Sequence, residues 1–141
     1  MPGRHLSIRV SEETLEHLES ESRRSGRSRS DLARTLIEEG LRMQAHPGIV
    51  FRQSVAGPQP ALADGPYLWK IAAFLHGLDL SDEEAVCEAM SDTNLTRRQI
   101  EAAARYYTEY AEEIDARIRR NQEENERAYA AWLRERGSAA R

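Results

Sequence analysis

The sequence predicts a mainly α-helical protein of two small domains, with one β-strand near its start that finds a partner only in a second copy of the chain. Three observations lead there. Residues 5–10 read His5-Leu6-Ser7-Ile8-Arg9-Val10, a strict alternation of polar and apolar side chains. Helix boundaries are marked by capping residues at Ser11, Gly26, Ser28, Ser81 and Thr96. Residues 46–66 hold four of the five prolines and three glycines, which excludes a helix there and divides the chain. The expected segments are 1–45, 46–118 and a helical tail at 119–141.

In the N-terminal strand Leu6, Ile8 and Val10 share one face, and His5, Ser7 and Arg9 share the other. That is the pattern of a half-buried strand. Ser11 caps a first helix over roughly 11–24, with Glu12 and Glu13 in its first turn and Gly26 beyond its end. Ser28 with Asp31 three residues on opens a second helix, along which Leu32, Leu36, Ile37 and Leu41 recur at helical spacing. One strand with two helices leaves two unpaired strand edges. A segment of about 40 residues also buries too little surface to fold alone. A second copy supplies the remedy: two strands pair as an antiparallel ribbon, and four helices cover its apolar face. The polar face, with His5, Ser7 and Arg9 from each copy, stays free, and a two-stranded ribbon fits the major groove of DNA.

These residues carry a resemblance. The strand Leu6-Ser7-Ile8-Arg9-Val10, then Ser11-Glu12-Glu13 with Leu15 and Leu18, then Gly26-Arg27-Ser28-Arg29-Ser30-Asp31-Leu32, Leu36-Ile37 and Gly40-Leu41 resemble a ribbon-helix-helix domain. This is the fold of the MetJ, Arc and CopG-type repressors. The resemblance covers residues 4–44. It implies an obligate homodimer that reads bases of double-stranded operator DNA with His5, Ser7 and Arg9, and holds phosphates at Ser28 and Arg29, with Arg27 beside them. His5 departs from the family, where Arg or Lys is commoner at that position.

Formal net charge is −4, so whole-chain charge does not announce a nucleic-acid binder. Local charge is more informative. Residues 23–29 hold four arginines in seven positions, while the excess acid lies at 12–21, 82–88 and 109–126. Cys87 is the one cysteine, so no internal disulfide forms. Its neighbours in Glu84-Ala85-Val86-Cys87-Glu88-Ala89-Met90 favour a core position over a reactive thiol. The start lacks a secretory-signal pattern, and no apolar run approaches the roughly 20 residues that cross a bilayer. The expectation is a cytoplasmic protein without membrane contact.

Within 46–66, Ile49-Val50-Phe51-Arg52 and Pro60-Ala61-Leu62-Ala63 read as short strands, with a turn at 54–58 between them: a small β-hairpin, or wing. Asp64-Gly65-Pro66 reads as a helix start, with Asp64 as cap and Pro66 in the first turn. Leu68, Ile71, Ala72 and Leu75 continue that helix, and Gly77 closes it. Ser81-Asp82-Glu83-Glu84 and Thr96-Arg97-Arg98-Gln99 read as capping boxes of two further helices. Three short helices, the last two tightly joined, point to a helix-turn-helix-like core, with Arg97, Arg98 and Arg105 near the start of its third helix. Tyr106, Tyr107 and Tyr110 share helical spacing with Ile114 and are assigned to the core rather than to base stacking.

A second resemblance covers about 46–120. His46-Pro47-Gly48-Ile49-Val50-Phe51-Arg52, Gly65-Pro66 with Trp69, and Ala104-Arg105-Tyr106-Tyr107 followed by Tyr110-Ala111-Glu112-Glu113-Ile114-Asp115 look like the winged-helix-like domain of VapB-type antitoxins. It implies a protein partner, a PIN-type ribonuclease toxin. From Ile114 the chain stays helical, but residues 119–127 offer nothing to bury. Apolarity returns at Tyr129, Trp132 and Leu133, and residues 134–141 are expected to fray. Tyr129, Trp132 and Leu133, with Arg134 and Arg136 directly after, are the candidate toxin anchor; the alternative is packing of Trp132 on the other protomer or on the second domain.

No phosphate-binding loop, zinc-spaced Cys/His set or Ser/His/Asp constellation is present, and His5, His17, His46 and His76 are scattered. Glu112, Glu113 and Asp115 read as a solvated helical face, or a contact with a basic partner, rather than a cation site. The expectation is therefore a protein that is not an enzyme and carries no metal or cofactor. Its leading function is a DNA-binding repressor that doubles as the antitoxin of a toxin–antitoxin pair. The alternative is a stand-alone repressor whose second domain serves oligomerisation or ligand sensing.

Overall fold

The computed structural model describes residues 3–139. It is mainly helical, with six helices and one two-stranded sheet among the described residues: α1 Glu12–Ser25, α2 Arg29–Ala45, β1 Ile49–Ser54, β2 Gly57–Leu62, α3 Leu68–Leu75, α4 Glu83–Thr93, α5 Arg97–Glu109 and α6 Ala111–Ala139. The chain divides into two compact units, Met1–Arg42 and Met43–Arg141.

The first unit is local structure with little core. Ser11 caps α1, its Oγ accepting from the Thr14 amide at 3.1 Å, and Gly26 ends the helix at φ 69°. A positive φ there favours glycine because it carries no Cβ. Ser28 Oγ accepts from the Asp31 amide at 3.1 Å and caps α2. Leu32 is the one buried apolar side chain of this unit among the described residues. Residues 5–10 form no regular element and pair with no strand among the described residues, and Leu6, Ile8 and Val10 stand 68%, 60% and 48% exposed.

The second unit closes on itself. β1 and β2 form an antiparallel hairpin, with Ile49 opposite Leu62 and Ser54 opposite Gly57. Its turn is tighter than expected: Val55 and Ala56 alone link the strands. Ser54 Oγ donates to Gly57 O at 2.7 Å and accepts from the Ala56 amide at 3.2 Å, while Gly57 takes φ 101°. Ile49 and Leu62 join a core of Leu68, Ile71, Ala72, Ala89, Leu95, Ile100, Ala102, Ala103, Tyr106 and Ile114. The apolar stripe of α5 runs through that core, which is why its Ile100 and Tyr106 are fully covered.

Four expectations are corrected. α3 does not begin at Asp64-Gly65-Pro66 but at Leu68, with Tyr67 at its N-cap and no side-chain cap. The Leu62 amide donates to Pro66 O at 3.1 Å and Ala61 bridges Tyr67, so these residues extend the hairpin instead of starting a helix. Gly65 fits there because a Cβ would meet Leu62 Cβ at 3.0 Å. Asp82, not Ser81, caps α4: Asp79 Oδ1 takes both the Ser81 amide (2.9 Å) and its hydroxyl (2.6 Å), and Asp82 Oδ1 accepts from the Glu84 amide at 3.1 Å. The Thr96–Gln99 capping box forms as expected. Cys87 is exposed. Val86, Ala89 and Met90 set the inward stripe of α4, and a residue one place after Val86 turns about 100° away from it. Finally, α6 does not fray from Arg134; it runs unbroken through 119–127 to Ala139, and residues 140–141 lie outside the described ones.

Candidate functional site

The residues nominated for DNA lie on the first unit. His5, Ser7 and Arg9 are all exposed, ahead of the Ser11 cap. At the start of α2 the nominated phosphate contacts already have partners. Arg27 Nη2 donates to Asp31 Oδ2 at 3.1 Å and to Thr35 Oγ1 at 2.6 Å. Arg34 pairs with the other oxygen of the same carboxylate. These two guanidiniums, Arg34 first, hold the Asp31 carboxyl below its usual range. Arg29 Nη1 donates to Glu19 Oε1 at 2.9 Å, which ties the start of α2 to α1. Ser28 spends its hydroxyl on the helix cap, and Ser22 Oγ donates to Arg27 O across the turn. Arg24 pairs with Glu21. Three of the four arginines at 23–29 are thus matched by acids, so this basic run is less positive than its composition implies. The Arg29–Glu19 pair is exposed at both ends, where an ion pair is worth about 0–1 kcal/mol and exchanges readily for a better anion.

The nominated partner-binding residues lie on the last turns of α6. Tyr129, Trp132 and Leu133 are 62%, 45% and 48% exposed, so the alternative, packing of Trp132 on the second domain, is not present. Tyr129 and Trp132 stack with ring centres 5.8 Å apart, and Arg136 Cζ sits 4.5 Å from the Trp132 ring centre. The three form one exposed aromatic and cationic ridge, with Arg134 exposed beside it.

Sequence reasoning missed what the second unit brings together over long separations. His46, expected in a structural or solvated role, is buried; its Nε2 lies 2.6 Å from Glu109 Oε2, and its ring meets the edges of Tyr106 (5.1 Å) and Tyr110 (5.9 Å). Tyr107 donates to Asp115 Oδ1 at 2.7 Å, and that bond, with some burial, pushes the phenol upward. Asp115 of the acidic run is thereby engaged in packing α5 on α6. Arg97, at the start of the third helix of the helix-turn-helix-like core, pairs with Glu83 of α4. Among the described residues no three His, Cys, Asp or Glu side chains converge as metal ligands, and no helix is long and apolar enough to cross a membrane.

No family model, curated protein or solved structure matches the chain.

Proposed function

We propose that the chain is a dimeric DNA-binding repressor of the ribbon-helix-helix kind that also serves as an antitoxin, neutralising a PIN-type ribonuclease and regulating its own operon in the cytoplasm. One observation carries the reading: the first unit has Leu6, Ile8, Val10, Leu36 and Leu41 about half exposed or more, on an unpaired segment whose alternation predicts a strand and on a helix without a cover. A second copy pairs the strand and covers those side chains at once. The paired strands then present His5, Ser7 and Arg9 outward into the major groove, where a bidentate arginine to guanine supplies about 1–3 kcal/mol of discrimination. Phosphates approach the N-terminus of α2, whose free amides favour anions, and draw Arg29 from Glu19. The three-residue connection between α4 and α5, preceded by the hairpin, is read as a helix-turn-helix with a wing. The α6 ridge of Tyr129, Trp132 and Leu133 is read as the toxin anchor, with Arg134 and Arg136 reaching toward the acidic centre such a toxin would present.

The test uses the full chain and an operator selected from random duplexes. Arg9→Ala flattens the preference for that operator over random DNA. Arg29→Ala weakens both alike and reduces the salt slope by about one. Truncation after Arg127 leaves DNA binding intact and abolishes neutralisation of the neighbouring gene's product. Unchanged operator preference in Arg9→Ala overturns the ribbon as reader. Full neutralisation by the truncated chain overturns the anchor, whereas no neutralisation by the full chain leaves a stand-alone repressor.

A further inference from the structure

We propose that the cavity between the β-hairpin and α6 binds a carboxylate carried on a short apolar or aromatic stem. The cavity measures about 150 Å3 and is walled by Phe51, Pro58, Trp69, Arg117 and Arg120. Two side-chain donors of this wall, Nε1 of Trp69 and Nε of Arg117, are buried and find no acceptor in the protein. Buried donors are nearly always satisfied, and leaving one unpaired forfeits its whole hydration, so two beside one cavity are a signal. They are neighbours, with Arg117 Cζ 5.8 Å from the Trp69 ring centre. Gln59, buried on β2, brings a side-chain amide to the same cavity.

These groups define the ligand. Two guanidiniums against the single carboxylate of Glu113 leave the wall positive. The planar fork of Arg117 matches the two oxygens of a carboxylate, which would give its unpaired Nε an acceptor. Phe51, the hairpin prolines and Ile114 complete the walls and require an apolar stem. The volume is well below the roughly 300 Å3 at which drug-sized ligands fit, which excludes a nucleotide and admits a small acid or one carboxylate-bearing chain end. None of these residues belongs to the DNA or toxin surfaces proposed above, so this site stands or falls independently of them.

The experiment is a 15N–1H titration of the full-length protein that follows the Trp69 indole N–H, assigned by loss of the other indole peak in Trp132→Phe. Sodium benzoate is expected to move the Trp69 peak downfield saturably, while benzamide, its neutral isostere, leaves it in place. Arg117→Lys keeps the charge, loses the fork, and is expected to weaken benzoate about ten-fold, with the rest of the spectrum unchanged. N-acetyl-phenylalanine separates the two sources: binding as tight as benzoate assigns the site to a peptide chain end, and binding of benzoate alone assigns it to a free small acid. No saturable shift with either acid, an equal shift with benzamide, or undiminished binding in a folded Arg117→Lys overturns the proposal. In each of those cases Arg117 does no more than stack on Trp69.

Discussion

The two units of this chain are built from similar residues and reach opposite ends. The unit at Met43–Arg141 gathers twelve buried apolar residues into one cluster; the unit at Met1–Arg42 buries Leu32 alone among its described residues. The difference is not hydrophobicity. Leu6, Ile8, Val10, Leu15, Leu36, Ile37 and Leu41 are as apolar as anything in the second core. What differs is the number of faces that can meet. In the second unit a hairpin and four helices enclose a volume. In the first, an unpaired segment and two helices each carry one apolar stripe, and the three do not enclose a core. Covering those seven side chains is worth roughly 5–10 kcal/mol after allowing for the part already buried, comparable to the whole stability of a small domain.

The widest separation between the units comes from placing one damaging substitution in each. Ile8→Asp removes a side chain that is 60% exposed in the single chain, so a monomeric first unit would barely register it. In a dimer it buries two unpaired carboxylates, and the first unit is expected to unfold and the protein to sediment as a monomer. Ile100→Ala, at a fully buried site of the second unit, is expected to cost about 2–5 kcal/mol there and to leave the oligomeric state alone. Sedimentation and two-transition melts of both variants decide this. A dimer with unchanged melting in Ile8→Asp would show that residues 5–10 take no part in the fold of the first unit.

The two units also differ in what their sequences disclose. Ser11, Gly26, Ser28 and the Thr96–Gln99 box were legible because a cap is decided within four residues. The hairpin was legible from Ile49-Val50-Phe51-Arg52 between turn residues. What failed was decided by other elements. The α3 start moved because Ala61 and Leu62 hold Pro66 and Tyr67 in extended structure. The α4 cap moved because Asp79 reaches Ser81 first. His46 meets Glu109 across 63 residues, and Trp69 meets Arg117 only once the hairpin and α6 are in place. No local pattern reports such pairs. The pairing of Arg27 with Asp31 and of Arg29 with Glu19 likewise depends on how the α1–α2 turn closes.

A smaller effect sharpens the point at Gly40. It sits inside α2 on the same face as Leu36, Ile37 and Leu41, and a Cβ placed there meets nothing within 4 Å. In the single chain Gly40→Ala therefore gains helix propensity of about 1 kcal/mol without a clash. Against a second copy the face is covered, and a glycine between exposed leucines is where two helices come close. The expected outcome is a looser dimer: a lower melting temperature for the first unit and a higher dissociation constant. A uniform gain in stability, independent of protein concentration, would show that this face stays open.

The smallest effect concerns charge and falls on the first unit alone. Asp31 is held below its ordinary range, first by Arg34 and then by Arg27. A carboxyl depressed in the folded state contributes stability that is present above its unfolded value, near 3.9, and is lost as pH falls through the folded one. The loss therefore begins below about pH 4 and has no counterpart on the alkaline side. The carboxylate is well exposed, so solvent and salt screen most of the effect. Asp31→Asn is expected to leave the first unit's melting temperature close to wild type at neutral pH and to flatten its decline below pH 4, more visibly at low salt. The second unit, which lacks Asp31, keeps its acid response unchanged. An equal flattening in both transitions would mean that the two units do not melt separately, and the contrast between a closed unit and an open one would have to be given up.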